Sequence, residues 1–153
     1  MTQARSVTAT FVSRYRPDAS VALGNGAFVG DGVYGVDGPA QAVATTTSQA
    51  RIVTFRVRVQ NDGTSSDAFT IAGPGDSTGF RVRYLMGTTD VTARIRAGTF
   101  QTATLAPGMS VTLTLTVSTL SGSRGRTKDV LVPVRSVGRA TLLDAVLARV
   151  TVR

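Results

Sequence analysis

The sequence predicts an all-β domain, a sandwich or barrel of short strands, on three observations. Apolar residues recur with period two through much of the chain, turn dipeptides interrupt these runs at short intervals, and long helical segments are missing. At 153 residues the chain fits one domain, 1–153, large enough to bury a core without staples.

The strands follow in order. Val7–Val12 places Val7, Ala9 and Phe11 on one side and Thr8 and Thr10 on the other, so residues 1–13 are expected to form an edge strand or one exchanged with a neighbour. Ser20–Leu23, Ala27–Val29 and Ala40–Thr45 are weaker runs. In Ile52–Gln60, Phe55, Val57 and Val59 share one face and Thr54, Arg56 and Arg58 the other. Ala68–Ala72 is short. Phe80, Val82 and Tyr84 alternate with Arg81 and Arg83, and a further strand is expected at Val91–Arg96 after a hairpin loop over Leu85–Asp90. Phe100–Leu105 precedes the most regular run, in which Val111, Leu113, Leu115 and Val117 alternate with Thr112, Thr114, Thr116 and Ser118. Val130–Val134 and Ala145–Val152 close the chain. Ala140–Leu147 alone would pass for a short helix, but alternation continuing to Val152 favours a strand.

Asn25-Gly26, Asp31-Gly32, Asp37-Gly38-Pro39, Asn61-Asp62-Gly63, Gly73-Pro74-Gly75-Asp76 and Pro107-Gly108 supply the positive or preset φ that tight turns need. Leu120–Thr127, centred on Ser-Gly-Ser-Arg-Gly-Arg, is expected to be a mobile hairpin loop. The core is expected to hold Phe55, Val57, Val59, Phe80, Val82, Val111, Leu113, Leu115, Val117, Val150 and Val152, because each set shares one phase of the alternation.

Cysteine, histidine and glutamate are all absent. Disulfides, thiolate catalysis, histidine-based triads and the common zinc sites go with them. A serine or threonine nucleophile would need an aspartate or Lys128 as its base, and nothing in the spacing supports that pairing. No catalytic residue, cofactor or metal is assigned. Asp31, Asp37, Asp62, Asp67 and Asp76 lack the dense acidic spacing of a calcium loop and are expected to cap turns. Gly24-Asn25-Gly26 and Gly30-Asp31-Gly32 open no helix, so they are turns and not phosphate cradles. No stretch approaches the roughly 20 apolar residues of a membrane-spanning helix. Met1–Ser13 lacks the apolar run and cleavage site of a signal peptide, so an exported protein would be expected to contain this chain as a mature or excised piece.

The net charge is +8, and sixteen of the seventeen basic residues are arginine. Such a field favours anionic partners, although a GC-rich genome gives the same composition. Arg81 and Arg83, and Arg94 and Arg96, are each spaced by two. Across the expected hairpin the four would be neighbours on one face, an expected anion- or partner-binding surface. Arg56 and Arg58 are expected on the other sheet. Without aromatic residues beside these arginines, specific nucleic-acid binding is disfavoured, and the absence of tryptophan weakens carbohydrate binding, with Tyr15 and Tyr34 left as the loop candidates.

Three stretches carry a pattern. Val57-Arg58-Val59-Gln60-Asn61-Asp62-Gly63 followed by Asp67-Ala68-Phe69-Thr70, and Leu105-Ala106-Pro107-Gly108 before the Val111–Val117 strand, resemble bacterial immunoglobulin-like domains of the cell-adhesion-related type. Arg16-Pro17-Asp18, Gly30-Asp31-Gly32-Val33-Tyr34 and Gly79–Tyr84 resemble a longer variant repeated in large secreted or cell-surface bacterial proteins. The resemblance covers about Arg16 to Arg153. It implies an immunoglobulin-like antiparallel sandwich of two sheets and a non-catalytic extracellular module for adhesion, spacing or filament assembly. Its expected partners are protein, including a second copy of itself. The alternatives are binding of an acidic polysaccharide or another polyanion, and a role on a virion surface.

Overall fold

The computed structural model describes residues 12–153. Ten strands form two five-stranded sheets. The first sheet is ordered β1 (Pro17–Leu23), β3 (Ile52–Asn61), β8 (Ser110–Thr119), β5 (Phe80–Met86), β6 (Thr89–Asp90). The second is ordered β2 (Ala42–Thr47), β10 (Leu143–Val152), β9 (Thr127–Ser136), β4 (Phe69–Ile71), β7 (Phe100–Gln101). Every pairing is antiparallel except β2 with β10. Taking β1, β3, β4, β5, β8, β9 and β10 as A to G, one sheet reads A-B-E-D and the other G-F-C. This is the immunoglobulin arrangement, so the chain is an immunoglobulin-like β-sandwich.

Alternation places the core as expected. Phe55, Val57, Val59, Phe80, Val82, Leu113, Leu115, Val117, Val150 and Val152 are buried, and Val111 is partly buried against them. Their outward neighbours on β3 and β8 are polar, which is how a sheet with one wet face reads in sequence. Ala145–Val152 lies within β10 (Leu143–Val152), and the helical alternative for Ala140–Leu147 falls.

The polar residues of the family-like motifs hold the fold. Asn61 is fully buried; its Nδ2 donates to Ser65 O (2.9 Å) and Leu105 O (2.8 Å), and its Oδ1 accepts from Gly63 N at 3.0 Å. Gly108 N donates to Asn61 O at 2.7 Å, so the Leu105–Gly108 turn docks on the end of β3. A Cβ at Gly63 would stand 2.5 Å from Arg14 O, and only glycine permits that approach. Asp67 accepts from the Ser136 hydroxyl, from Gly138 N and from its neighbour Ala68 N.

Several expectations are corrected. Val91–Arg96 is no strand: Thr92–Arg96 forms α1, with Asp90 Oδ1 accepting from Thr92 N at 2.8 Å ahead of it. Val91 and Ile95, both buried, are four residues apart and lie on one helical face as readily as on one face of a strand. Ala27–Val29 contributes only the Val21–Val29 bridge, and Phe100–Leu105 only β7 and the Asp67–Leu105 bridge. Leu120–Thr127 is not a hairpin loop, because β8 and β9 lie in different sheets. Its Ser123 is buried, with Oγ donating to Leu120 O at 2.6 Å. Val7, Ala9 and Phe11 lie outside the described residues.

Candidate functional site

Open sandwiches expose unpaired backbone groups at their edges, and three of the four edges here are closed by named devices. At β1, Val21 and Val29 exchange two backbone hydrogen bonds of 2.9 and 2.8 Å, and Ala19 N donates to Asp144 Oδ2 at 2.7 Å. At β5, Val82 N donates to Asp76 Oδ1 (2.8 Å) and Tyr84 N to Thr92 Oγ1 (2.9 Å), while Tyr84 O accepts from Val91 N at 2.9 Å. The β7 edge is two residues long. The fourth edge is β2, six residues from Ala42 to Thr47, bonded to β10 on one side and capped by no group on the other among the described residues. Its Ala44 and Thr46 side chains are exposed.

The loop that closes β1 is strapped to the outer face of the first sheet. Arg56 Nε and Nη2 donate to Gly24 O (2.7 Å) and Gly26 O (3.0 Å). Arg58 pairs with Asp31 at 2.6 Å, and both guanidinium groups lie over the Phe28 ring, 4.9 and 4.7 Å from its centroid. Beneath the strap, Asp18 is buried and accepts from Gly32 N at 3.1 Å. Burial, with the charges of Asp62, Asp144 and Asp31 adding to it, pushes the Asp18 carboxyl up to about 7.

The predicted arginine face is rearranged. Arg81 and Arg83 stand opposite Ser118 and Thr116 on β8, and Arg56 and Arg58 stand opposite Thr114 and Thr112 on its other side. Both pairs therefore share one sheet and one face, correcting the placement of Arg56 and Arg58 on the other sheet. Arg94 and Arg96 do not face Arg81 and Arg83 across a hairpin, because they lie on α1. Arg94 turns away to the Phe100 ring, 5.0 Å from its centroid.

Arg96 joins Arg81 and Arg83 by a different route. A Cβ on Gly75 would stand 2.3 Å from Arg96 Nε, so this side chain lies directly against the Gly73–Asp76 loop. Lys128, almost fully buried, donates from Nζ to Gly75 O at 2.8 Å, and Arg83 Nη1 reaches Asp76 Oδ1 at 3.4 Å. The Val82 N–H first, then Arg83, Arg81 and Arg96, hold the Asp76 carboxyl below its usual range. Desolvation lowers Lys128. Four cations thus surround a loop with a single carboxylate. Sequence spacing missed Lys128 and Asp76, since they approach from β9 and from the β4–β5 loop. The Gly-Pro-Gly-Asp turn, whose small residues admit close neighbours, was the available signal.

No family model and no curated protein matches the chain. Among solved structures it is similar to the secreted serine protease VesC from Vibrio cholerae, at 12% identity and TM-score 0.46, over 71% of this chain and 21% of that one. It is also similar to the Vibrio cholerae VesB protease, at 13% identity and TM-score 0.42, over 72% and 30%. The PapD-like domain 7 of human CEP192 aligns over 100% and 96% at 9% identity and TM-score 0.48. The chain spans about a fifth and three tenths of the lengths of the two proteases. At this level of similarity none of the three carries an activity or partner over to this chain, and the immunoglobulin-like assignment rests on its strand order.

Proposed function

We propose that the domain is a non-catalytic module of a bacterial cell-surface or secreted protein, serving adhesion, spacing or filament assembly by pairing its β2 edge with a strand of a second copy. The carrying observation is the asymmetry of the edges: among the described residues three are closed, while the side of the six-residue β2 facing away from β10 has no partner. The motif resemblance to bacterial adhesion-related repeats agrees with this reading. The donor we propose is the alternating N-terminal segment containing Val7, Ala9 and Phe11.

The test is mass in solution by light scattering across protein and salt concentration. The full chain is expected to associate with little salt dependence, since backbone pairing is not a charge interaction. Introducing Ala44→Lys and Thr46→Lys together is expected to leave the melting temperature within about 2 °C, as exposed substitutions do, and to return the chain to a monomer, since edge charges oppose strand pairing. A chain that is monomeric throughout, or association unaffected by the double variant, rejects the reading.

A second prediction separates donor from acceptor. Deleting residues 1–11 leaves Ser13 and Arg14, whose carbonyls accept from Thr64 N (3.2 Å) and Ser65 N (3.1 Å), in place. The truncated chain is expected to lose self-association yet still bind the full chain, seen as a mixed species of intermediate mass. Unchanged self-association would assign the donor strand elsewhere in the chain.

A further inference from the structure

Two of the cations around the Gly73–Asp76 loop are not used by the fold: Arg81 and Arg96 make no hydrogen bond to any described residue. Lys128 is committed to Gly75 O, and Arg83 donates to Val82 O at 2.9 Å while reaching Asp76 only at 3.4 Å. Arg81 and Arg83 are two residues apart on β5, about 7 Å along the strand. With Arg96 and Lys128 they bring four positive charges around the one carboxylate of the loop, Asp76, while the next nearest carboxylate, Asp129, is held by Arg149. Like charges brought close together repel, and here they converge from β5, α1 and β9. Contrast Arg149, whose guanidinium is held by both Asp129 oxygens at 2.6 and 2.7 Å, or Arg56, spent on two backbone carbonyls.

Beside this cluster lies an open groove of about 610 Å³, lined by Ala72, Gly73, Pro74, Leu131 and Pro133, with Arg96 and Asp129 also on its wall. Asp129 is paired with Arg149, the rest of the lining is mostly apolar, and no aromatic ring lines it. Phe100 lies under Arg94, and Tyr84 is buried with its hydroxyl donating to Pro74 O at 2.9 Å. A nucleic-acid strand would find charge here and nothing to stack on. A sugar chain bearing sulfates or carboxylates needs the charge and an apolar floor for its C–H faces.

The geometry points to an anion-binding site formed by Arg81, Arg83 and Arg96 around the Gly73–Asp76 loop, which takes the sulfate or carboxylate groups of an acidic polysaccharide along the Ala72–Pro133 groove. Planar guanidinium groups bind both anions through paired N–H donors. Asp76, accepting from Val82 N, occupies the centre of the cluster and competes with the incoming anion. The site is independent of the β2 edge and stands or falls separately from it.

The experiment measures affinity of the full chain for heparin, as the sulfated probe, and for polygalacturonate, as the carboxylate probe, at fixed moderate salt. The triple variant Arg81→Thr, Arg83→Thr, Arg96→Thr is expected to bind at least 10-fold more weakly than the parent. Arg124→Thr, Arg126→Thr, Arg139→Thr, which removes the same charge from exposed positions elsewhere, is expected to change affinity less than 3-fold. Asp76→Asn is expected to tighten binding 2- to 5-fold, and Asp37→Asn, with the same gain of charge at a distant turn, to leave it unchanged. Heparin binding alone identifies a sulfate site and polygalacturonate binding a carboxylate site; either supports the inference. Equal losses in the two triple variants, tighter binding of single-stranded DNA than of both polysaccharides, or no binding to either polymer overturns it. Circular dichroism of each variant checks that a loss of affinity is not a loss of fold.

Discussion

Replacing Asp144 with alanine is expected to remove most of the stability of the domain. The residue is fully buried on β10, and its two oxygens accept from Ala19 N at 2.7 Å, Gly35 N at 2.8 Å and Gln41 Nε2 at 2.6 Å, with a further contact from its own neighbour Ala145 N. Ala145 N also reaches Gly35 O, so three donors depend on Asp144 alone. They come from β1 in one sheet, the loop before β2, and the turn at Pro39–Gln41. One side chain therefore ties the first sheet to the second at the edge where neither sheet bonds the other. Each buried donor left without an acceptor costs about 1–3 kcal/mol. The sum, on the order of 5 kcal/mol, is comparable with the whole stability of many domains. Asp144→Asn keeps one oxygen and turns a donor toward the remaining partners, so about half of that loss is expected. Urea unfolding at 25 °C measures both. A loss below about 1 kcal/mol for either variant would show that water replaces the carboxyl without penalty.

The second large effect is one of pH. The Asp18 carboxyl has a folded-state value of about 7 against 3.8 for the free side chain, first because of burial and then because Asp62, Asp144 and Asp31 face it. The cations nearby are committed elsewhere: Arg58 pairs with Asp31, and Arg16 lies over the Tyr34 ring at 4.3 Å. A raised carboxyl favours the folded state fully below 3.8, and that advantage is lost as pH climbs through about 7. Between those limits the folded chain holds a proton that the unfolded chain has released, so stability falls with rising pH, by at most about 1.4 kcal/mol per pH unit. The total is bounded at about 4 kcal/mol.

Asp18→Asn retains an oxygen for Gly32 N and cannot ionise. Other groups shift the opposite way, Asp129 chiefly through its hydrogen bond from Arg149, so the informative quantity is the difference between variant and parent. Relative to its value at pH 3, the stability difference is expected to rise in favour of Asp18→Asn between pH 4 and 7 and to level off above. A flat difference would mean that the strap over Asp18 opens or admits water at no cost. Because that strap also closes the β1 edge, hydrogen exchange at Val21 and Val29, taken relative to the intrinsic base-catalysed rate, should lose protection as pH passes about 7 in the parent but not in Asp18→Asn.

Much of the architecture was legible because alternation has only two phases. Once Phe55, Val57 and Val59 share one, or Leu113, Leu115 and Val117, burial of the whole set follows. The sites were less legible. Val91–Arg96 alternates as a strand does, yet places Val91 and Ile95 at helical spacing too, and six residues cannot separate the two periods. A wrong element there misplaced Arg94 and misstated how Arg96 meets Arg81 and Arg83. The charge cluster itself was half visible as arginines spaced by two; Asp76 lies just before them in the β4–β5 loop, where it reads as a turn residue, while Lys128 arrives from β9 with no sequence proximity to it.

The sequence by itself determined the strand class, the inward face of each long strand and the absence of histidine and cysteine chemistry, because these depend on side-chain type and local period. Only the tertiary structure decided that β8 separates Arg56 and Arg58 from Arg81 and Arg83 on a single face, that the β1, β5–β6 and β7 edges are closed while β2 has no cap among the described residues, and that Asp144 joins the sheets. Each of those is a contact between segments far apart in the chain. Local propensity carries no information about which of several compatible strands becomes a neighbour; burial of the two inner faces against each other makes that choice.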